Sequence, residues 1–150
     1  MKIYLASSWR NVNYPLALHM LREAGHEVYD FRNPTGGPPG GFHWEMVDPD
    51  WRNWSAARYR EALKHPIAQQ GFKSDLDGMI WAEACVLLLP CGRSAHLELG
   101  WMAGRGKRTI IWANDYEQPD LMPLLADRIC ISQKEVLQTL EVFGCVPSQG

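Results

Sequence analysis

The residues best suited to chemistry lie in one stretch, Cys85–Lys107, with the sequence CVLLLPCGRSAHLELGWMAGRGK. Within its predicted helix, Glu98 is the only ionisable residue between His96 and Arg105, and its neighbours are apolar. The amide dipoles at a helix start favour an anion. A carboxylate held there in a partly apolar pocket stays ionised and can act as a nucleophile or a base. The alternative is a solvent-facing glutamate, or one that is paired with Arg93 or Arg105.

An anion-binding group of residues precedes this glutamate. We expect Ser94 at the N-cap position, where its hydroxyl accepts a hydrogen bond from a backbone amide. With Gly92, Arg93 and the unpaired N–H groups of the first turn, Ser94 would form a natural site for an anion. A plain helix cap and a surface arginine are the alternative. Because residues four apart share a helix face, Glu98 should point the same way as Ser94.

A second acidic element is the segment Ser74–Gly78, with the sequence SDLDG. It lies in the helix that leads into the central strand, and packing beside that strand would bring Asp75 to the same crevice as Glu98. Two carboxylates that bracket a ribose are what glycosidic-bond chemistry requires. One attacks the anomeric carbon, and the other orients the sugar or handles the proton of the leaving base. The alternative for Asp75 is a helix cap or a surface charge.

Alternating strands and helices would position these groups. Apolar and alternating runs predict strands at Lys2–Ala6, His26–Phe31, Cys85–Leu89, Arg108–Ala113 and Arg128–Ser132. Helical spacing predicts helices at Asn13–Ala24, Asp50–Lys64, Pro66–Glu83, Ser94–Arg105 and Gln133–Phe143. The alternation predicts one α/β domain over residues 1–150, a doubly wound parallel sheet in a three-layer sandwich. Ligands bind such sheets beyond the carboxyl ends of the strands, here at Ser7–Asn11, Arg32–Gly41, Pro90–Ser94 and Ala113–Tyr116.

One strand end leads into a long irregular segment. Asn33–Gly41 has four glycines and three prolines in nine residues, so it must be a loop. Three of the seven tryptophans, Trp44, Trp51 and Trp54, follow it closely. Loops of this kind often serve as lids, and the aromatic rings would stack on a flat ligand. The alternative is that the rings pin the loop onto the core.

Composition excludes several classes of function. Fifteen Lys and Arg against seventeen Asp and Glu give a net charge of −2, so bulk binding to a nucleic-acid backbone is not expected. Neither a membrane span nor a signal peptide is predicted. The four cysteines lack Cys-x-x-Cys spacing and the five histidines show no metal spacing. We therefore expect reduced thiols, a cytoplasmic location, no metal and no cofactor.

The chain resembles the nucleoside 2-deoxyribosyltransferase family, broadly defined to include nucleoside 5′-monophosphate N-glycosidases. The resemblance rests on the opening KIYLAS, on the DLDGM segment from Asp75, on GRSAHLELG from Gly92 to Gly100, and on Gly106-Lys107 before a strand. It implies a flavodoxin-like fold, cleavage of an N-glycosidic bond, and homodimers or larger homo-oligomers. It also implies that Glu98 is the nucleophile and Asp75 the supporting acid.

The same resemblance implies a base pocket and a group that binds the 5′ end of the substrate. Its candidate residues are Ser7, Trp9, Arg10, Asp77, Gly92, Arg93, Ser94 and Asn114, with Asp115 and Tyr116 as further candidates at the same strand end. The chain departs from the family where transferases that act on free nucleosides carry acidic residues, because Gly92-Arg93-Ser94 stands there. An arginine and a serine at a helix start suit a 5′-phosphate better than a hydroxyl.

The sequence thus predicts an enzyme that cleaves the N-glycosidic bond of a (deoxy)nucleoside or nucleoside 5′-monophosphate, by transfer or by hydrolysis. In this hypothesis the Asn33–Gly41 loop and Trp44 cover the base and exclude water. Two alternatives stay open. One is a nucleotide-sensing module in which Glu98 holds a ribose hydroxyl, and the other is an NAD glycohydrolase.

Overall fold

A single parallel sheet organises the chain. The structure, a computed structural model, describes residues 1–114 and 119–145. Its strands are β1 (Lys2–Ala6), β2 (Glu27–Tyr29), β3 (Ala84–Leu88), β4 (Arg108–Trp112) and β5 (Arg128–Cys130). They are all parallel, in the order β2-β1-β3-β4-β5. This order is the flavodoxin-like one, so the predicted α/β class and doubly wound sheet are confirmed.

Helices connect the strands. They are α1 (Tyr14–Glu23), α2 (Ala56–Ala62), α3 (Pro66–Trp81), α4 (Arg93–Gly104) and α5 (Gln133–Cys145), with short 3-10 helices at Trp44–Met46, Trp51–Asn53 and Met122–Leu125. Parallel crossovers are right-handed, and the β1-to-β2 and β3-to-β4 crossovers run in opposite directions along the sheet. Helices α1 and α4 therefore cover opposite faces. Within the described ranges, no helix has the length and apolar character to cross a bilayer.

The centre of the sheet is apolar because β3 has neighbours on every side. All five residues of β3 are buried, and the strand pairs with β1 on one side and with β4 on the other. The continuous run ACVLL fits this environment, since a strand covered on both faces has no polar side. The loops that follow β1 and β3 therefore begin at the buried centre of the sheet.

The described residues form two compact units. One contains Met1–Tyr29 and the residues from Trp81 onward, and includes the whole sheet. The other is Asp30–Ile80, which carries the Gly/Pro-rich loop, α2 and most of α3. The prediction of one domain over residues 1–150 stays a prediction.

The predicted helix Asp50–Lys64 is wrong in its first half. Helix α2 begins only at Ala56, after a 3-10 turn at Trp51–Asn53 and an extended Trp54. Ser55 is the N-cap, and its hydroxyl accepts a hydrogen bond from the Arg58 amide at 3.2 Å. A serine at this place stabilises a helix start, so the chain begins a new helix there instead of continuing one from Asp50.

Candidate active site

Hydrogen bonds join the ends of β1 and β3, between which the strand order of the sheet reverses. From β1 the chain leads outward to β2, and from β3 it leads to β4 on the opposite side. Such a switch point leaves a crevice beyond the strand ends, where ligands bind in open α/β sheets. The Ser7 hydroxyl donates a hydrogen bond of 2.9 Å to the carbonyl oxygen of Leu88, the last residue of β3. Ser7 was predicted to line the substrate site, and it lies at this crevice.

Asn11 is a buried amide that fixes the same crevice, and the sequence alone did not single it out. Its side chain is only 3% exposed. Its Nδ2 lies 3.1 Å from the Ser7 hydroxyl oxygen and 3.1 Å from the Pro90 carbonyl oxygen. Its Oδ1 accepts a hydrogen bond of 2.9 Å from the Asn13 amide. Asn11 therefore holds the loop after β1 against the loop after β3.

Helix α4 begins one residue earlier than predicted, which corrects the role assigned to Ser94. Gly92 is the N-cap and has an extended backbone, whereas Ser94 lies inside the first turn. Because glycine has no side chain, no side-chain oxygen caps this turn. Arg93 and Ser94 are both exposed at the helix start. The turn thus presents backbone N–H groups next to a guanidinium and a hydroxyl, a combination that suits an anion.

Glu98 lies one turn further along α4, at the edge of the helix face that packs on the sheet. It is half-buried, and its i+1 and i+4 neighbours Leu99 and Met102 are buried. Its charge acts on the buried thiol of Cys85 in β3: burial raises the pKa of Cys85, and the Glu98 carboxylate raises it further. A fully solvent-facing glutamate does not fit these observations, so the structure favours the partly buried carboxylate.

Three further residues that were predicted to line the site lie beyond the ends of β1 and β4. Trp9 and Arg10 follow Ser7 and are exposed, with Trp9 at 40%. Asn114 is exposed just beyond the end of β4, at the same edge of the sheet. The further candidates Asp115 and Tyr116 lie outside the described residues. Among residues 1–114 and 119–145, no three His, Cys, Asp or Glu side chains form a metal-binding group.

The second unit carries the other two predicted acids on α3. Asp75 is half-buried and follows the buried Ser74. Asp77 is exposed and pairs with Lys73 one turn earlier on the same helix. The convergence of Asp75 and Glu98 on one sugar stays a prediction.

The predicted loop after β2 is packed on α3 by close backbone contacts. A Cβ atom on Gly37 would lie 2.9 Å from the Ser74 hydroxyl, and one on Gly71 would lie 2.8 Å from the Cβ of Phe42. The Gln70 side chain also donates a hydrogen bond to the Gly36 carbonyl at 3.4 Å. The loop therefore runs along α3 immediately beside Asp75.

The tryptophans that follow the loop form a small aromatic core of this unit. Trp44 meets Phe42, Trp54 and Tyr59 edge to face, with ring centroids 4.8, 5.4 and 5.9 Å apart. The Trp54 indole donates a hydrogen bond of 2.8 Å to Asp48 and lowers the pKa of that carboxyl. These contacts favour the interpretation in which the rings hold this segment in place over the one in which Trp44 stacks on a ligand.

Comparison with known proteins gives two informative structures. No protein-family model and no curated protein matches the chain. The 2-deoxyribosyltransferase of Bacillus psychrosaccharolyticus is similar with a TM-score of 0.61 and 22% identity, over 91% of this chain and 90% of that one. The CMP N-glycosidase BcmB of Clostridium botulinum is similar with a TM-score of 0.51 and 19% identity, over 94% and 99%. The chain therefore has the fold that the resemblance implied.

Proposed function

We propose that this protein is an enzyme that cleaves the N-glycosidic bond of a nucleoside or nucleoside 5′-monophosphate. The observation that carries the proposal is a half-buried glutamate, one turn into an uncapped helix at the sheet's switch point. The fold supports the same conclusion, since the two similar structures are by name a 2-deoxyribosyltransferase and a CMP N-glycosidase. Both names describe enzymes that act at the bond between a base and a sugar.

In the proposed mechanism Glu98 is the nucleophile. Its carboxylate oxygen bonds to C1′ while the C1′–N bond breaks, and the base leaves with the electron pair of that bond and takes up a proton. A carboxylate in this place, one turn from the free N–H groups of the helix start, is suited to such an attack. In the second step, water or the nitrogen of another base attacks C1′ and releases Glu98. The first acceptor makes the enzyme a hydrolase and the second makes it a transferase.

Two further roles complete the mechanism. Asp75 assists by orienting the sugar or by handling the proton of the leaving base. Ser7, Trp9, Arg10, Asp77 and Asn114 are proposed to line the substrate site. Neither step requires a cofactor.

The start of α4 favours a substrate with a 5′-phosphate. Gly92 leaves the first-turn amides without a side-chain cap, and Arg93 and Ser94 are exposed beside them. A phosphate would accept hydrogen bonds from all three kinds of donor through several charged oxygens, whereas a neutral 5′-hydroxyl oxygen accepts at most two. The name of the second similar structure, a CMP N-glycosidase, agrees with this preference.

The test is base release from a panel of nucleosides and their 5′-monophosphates, followed by chromatography. We expect turnover of at least one 5′-monophosphate, and Glu98→Gln should lower kcat/KM by about 10³-fold or more, because the nucleophile is lost. The matched control is Glu141→Gln, an exposed glutamate on α5. Fluorine at C2′ of the sugar slows both steps, because both transition states resemble an oxocarbenium ion. With such a nucleotide, a sugar adduct on Glu98 should accumulate, and mass spectrometry would detect it. Full turnover in Glu98→Gln would overturn the mechanism.

The phosphate preference is tested in the same assay. Arg93→Ala should raise KM for the monophosphate about tenfold and leave the nucleoside unchanged, since one charge-assisted contact is removed. Arg105→Ala, which removes an exposed arginine at the other end of α4, is the control. Equal turnover of nucleosides and monophosphates would count against the phosphate site. Binding by calorimetry with no base release would favour a nucleotide-sensing module, and release of nicotinamide from NAD would favour a glycohydrolase.

A further inference from the structure

Cys91 lies between β3 and α4 in contact with an imidazole. Its Sγ is 3.5 Å from the Nδ1 of His96, and that same nitrogen is 3.0 Å from the Gly92 carbonyl oxygen. A carbonyl oxygen can only accept, so Nδ1 must carry the proton. The sulfur lies within reach of the same N–H group, which can be shared between the Gly92 carbonyl oxygen and Sγ. A thiolate is a far better acceptor for it than a thiol.

The surroundings of Cys91 favour the thiolate further. Cys91 directly precedes Gly92, the N-cap of α4, so it lies at the positive end of the helix dipole. The guanidinium of Arg93 follows two positions later. Cationic groups and helix N-termini lower the pKa of cysteines and make them reactive.

The other three cysteines lack this combination. Cys85 and Cys130 are buried, and burial strongly raises the pKa of Cys85. Cys145 is exposed, but it lies at the last residue of α5 and not at a helix start. Cys91 alone of the four joins partial exposure to an N–H donor, so one thiol should react selectively.

We propose that Cys91 is a nucleophilic thiol that soft carbon electrophiles alkylate. We further propose that the alkyl group prevents nucleotides from binding at the start of α4. With iodoacetamide, the thiolate forms an S–C bond while the C–I bond breaks, iodide leaves with the bonding pair, and the thiol proton has already passed to solvent. The new group would stand beside Gly92 and Arg93, where the 5′-phosphate is proposed to bind. This second half rests on the proposed function, whereas the reactivity of Cys91 does not.

The reactivity is tested by limited iodoacetamide treatment of the whole protein and peptide mass spectrometry. Cys91 should be alkylated about tenfold faster than Cys145 in the same molecule, because a nearby N–H donor and a helix start favour a reactive thiolate. His96→Ala should remove this advantage. His96→Asn, whose amide can still donate near the sulfur, should keep most of it. Equal rates at Cys91 and Cys145, or an unchanged rate in His96→Ala, would overturn the proposal.

The effect of alkylation on nucleotide binding is tested with the same samples. CMP should slow alkylation of Cys91 but not of Cys145, and complete alkylation should abolish CMP binding in calorimetry. Cys91→Ser should bind CMP before and after iodoacetamide treatment. If the alkylated protein still binds CMP, the proposed block of nucleotide binding is wrong, although Cys91 is reactive. If CMP binds and blocks alkylation but no base is released from any substrate, the proposed function fails and this inference stands.

Discussion

The amide side chain of Asn11 controls the spacing of two loops that are far apart in sequence. Its Nδ2 approaches the carbonyl oxygens of Leu88 and Pro90, 77 and 79 positions along the chain. Asn11 and Leu88 are buried, whereas Ser7 is half-buried and Pro90 is exposed. A buried carbonyl such as that of Leu88 does not exchange a lost hydrogen bond for one to bulk water. The crevice at the strand ends therefore depends on one residue with no chemistry of its own.

Replacement of Asn11 should destabilise the protein measurably. In Asn11→Ala the loops after β1 and β3 lose the hydrogen bonds of this buried amide to Ser7, Leu88 and Pro90. We expect the free energy of unfolding in urea to fall by about 1–3 kcal/mol. Asn13→Ala is the matched control, because Asn13 occupies the N-cap position of α1 without a side-chain hydrogen bond to the helix. Its effect should stay within about 0.5 kcal/mol. Equal losses in the two variants would mean that the Asn11 network contributes little.

The sequence singles out Glu98 as a candidate but not Asn11, and the reason is physical. Glu98 is the lone acid in an apolar helix, which is a local property that the chain displays directly. Asn11 looks like an ordinary loop residue in SSWRNVN. Its importance arises from carbonyl groups of β3 and the following loop, and only folding brings them together. The one local hint is a pair of asparagines immediately before a helix start.

At the scale of elements, the buried strands and the starts of α3 and α5 are predicted well, whereas the start of α2 is not. The strands β1, β3 and β4 differ from prediction by at most one residue at either end. Helices α2 and α4 begin elsewhere than predicted, at Ala56 and Arg93. Helix starts depend on a choice between several capping residues, and tertiary contacts such as the Trp54–Asp48 hydrogen bond decide it.

The packing of the loop on α3 gives a prediction at this scale. Gly71 lies inside a helix, where alanine would normally gain about 1 kcal/mol. A Cβ atom there would lie 2.8 Å from the Cβ of Phe42, which is fixed to the backbone and cannot swing away. Overpacking of this kind costs about 1–3 kcal/mol, so Gly71→Ala should lower the Tm.

The control for Gly71→Ala is Gly100→Ala. Gly100 also lies inside a helix, α4, but a Cβ atom there would meet nothing within 4 Å. This variant should raise the Tm, because helix propensity acts alone. A rise in both variants would show that the loop yields easily and is not held against α3.

At the scale of the whole molecule, the fold follows from the alternation of strands and helices, whereas the proposed pairing of Asp75 with Glu98 does not. The continuous apolar run of β3 predicts a central parallel strand, and the topology confirms it. The division into two compact units has no comparable signal in the sequence. Asp75 belongs to one unit and Glu98 to the other, so their proposed cooperation must be tested in the complete chain.

Cooperation of the two acids is measurable as non-additivity in kcat/KM. If both act on one sugar, Glu98→Gln and Asp75→Asn each lower kcat/KM, with Asp75→Asn costing about 10²-fold. The double variant should then be little worse than Glu98→Gln alone, because an assisting acid contributes nothing once the nucleophile is gone. Glu61→Gln, an exposed acid of the same unit as Asp75, is the control. Effects that multiply in the double variant would mean that Asp75 acts independently of the step at Glu98, as a structural residue would.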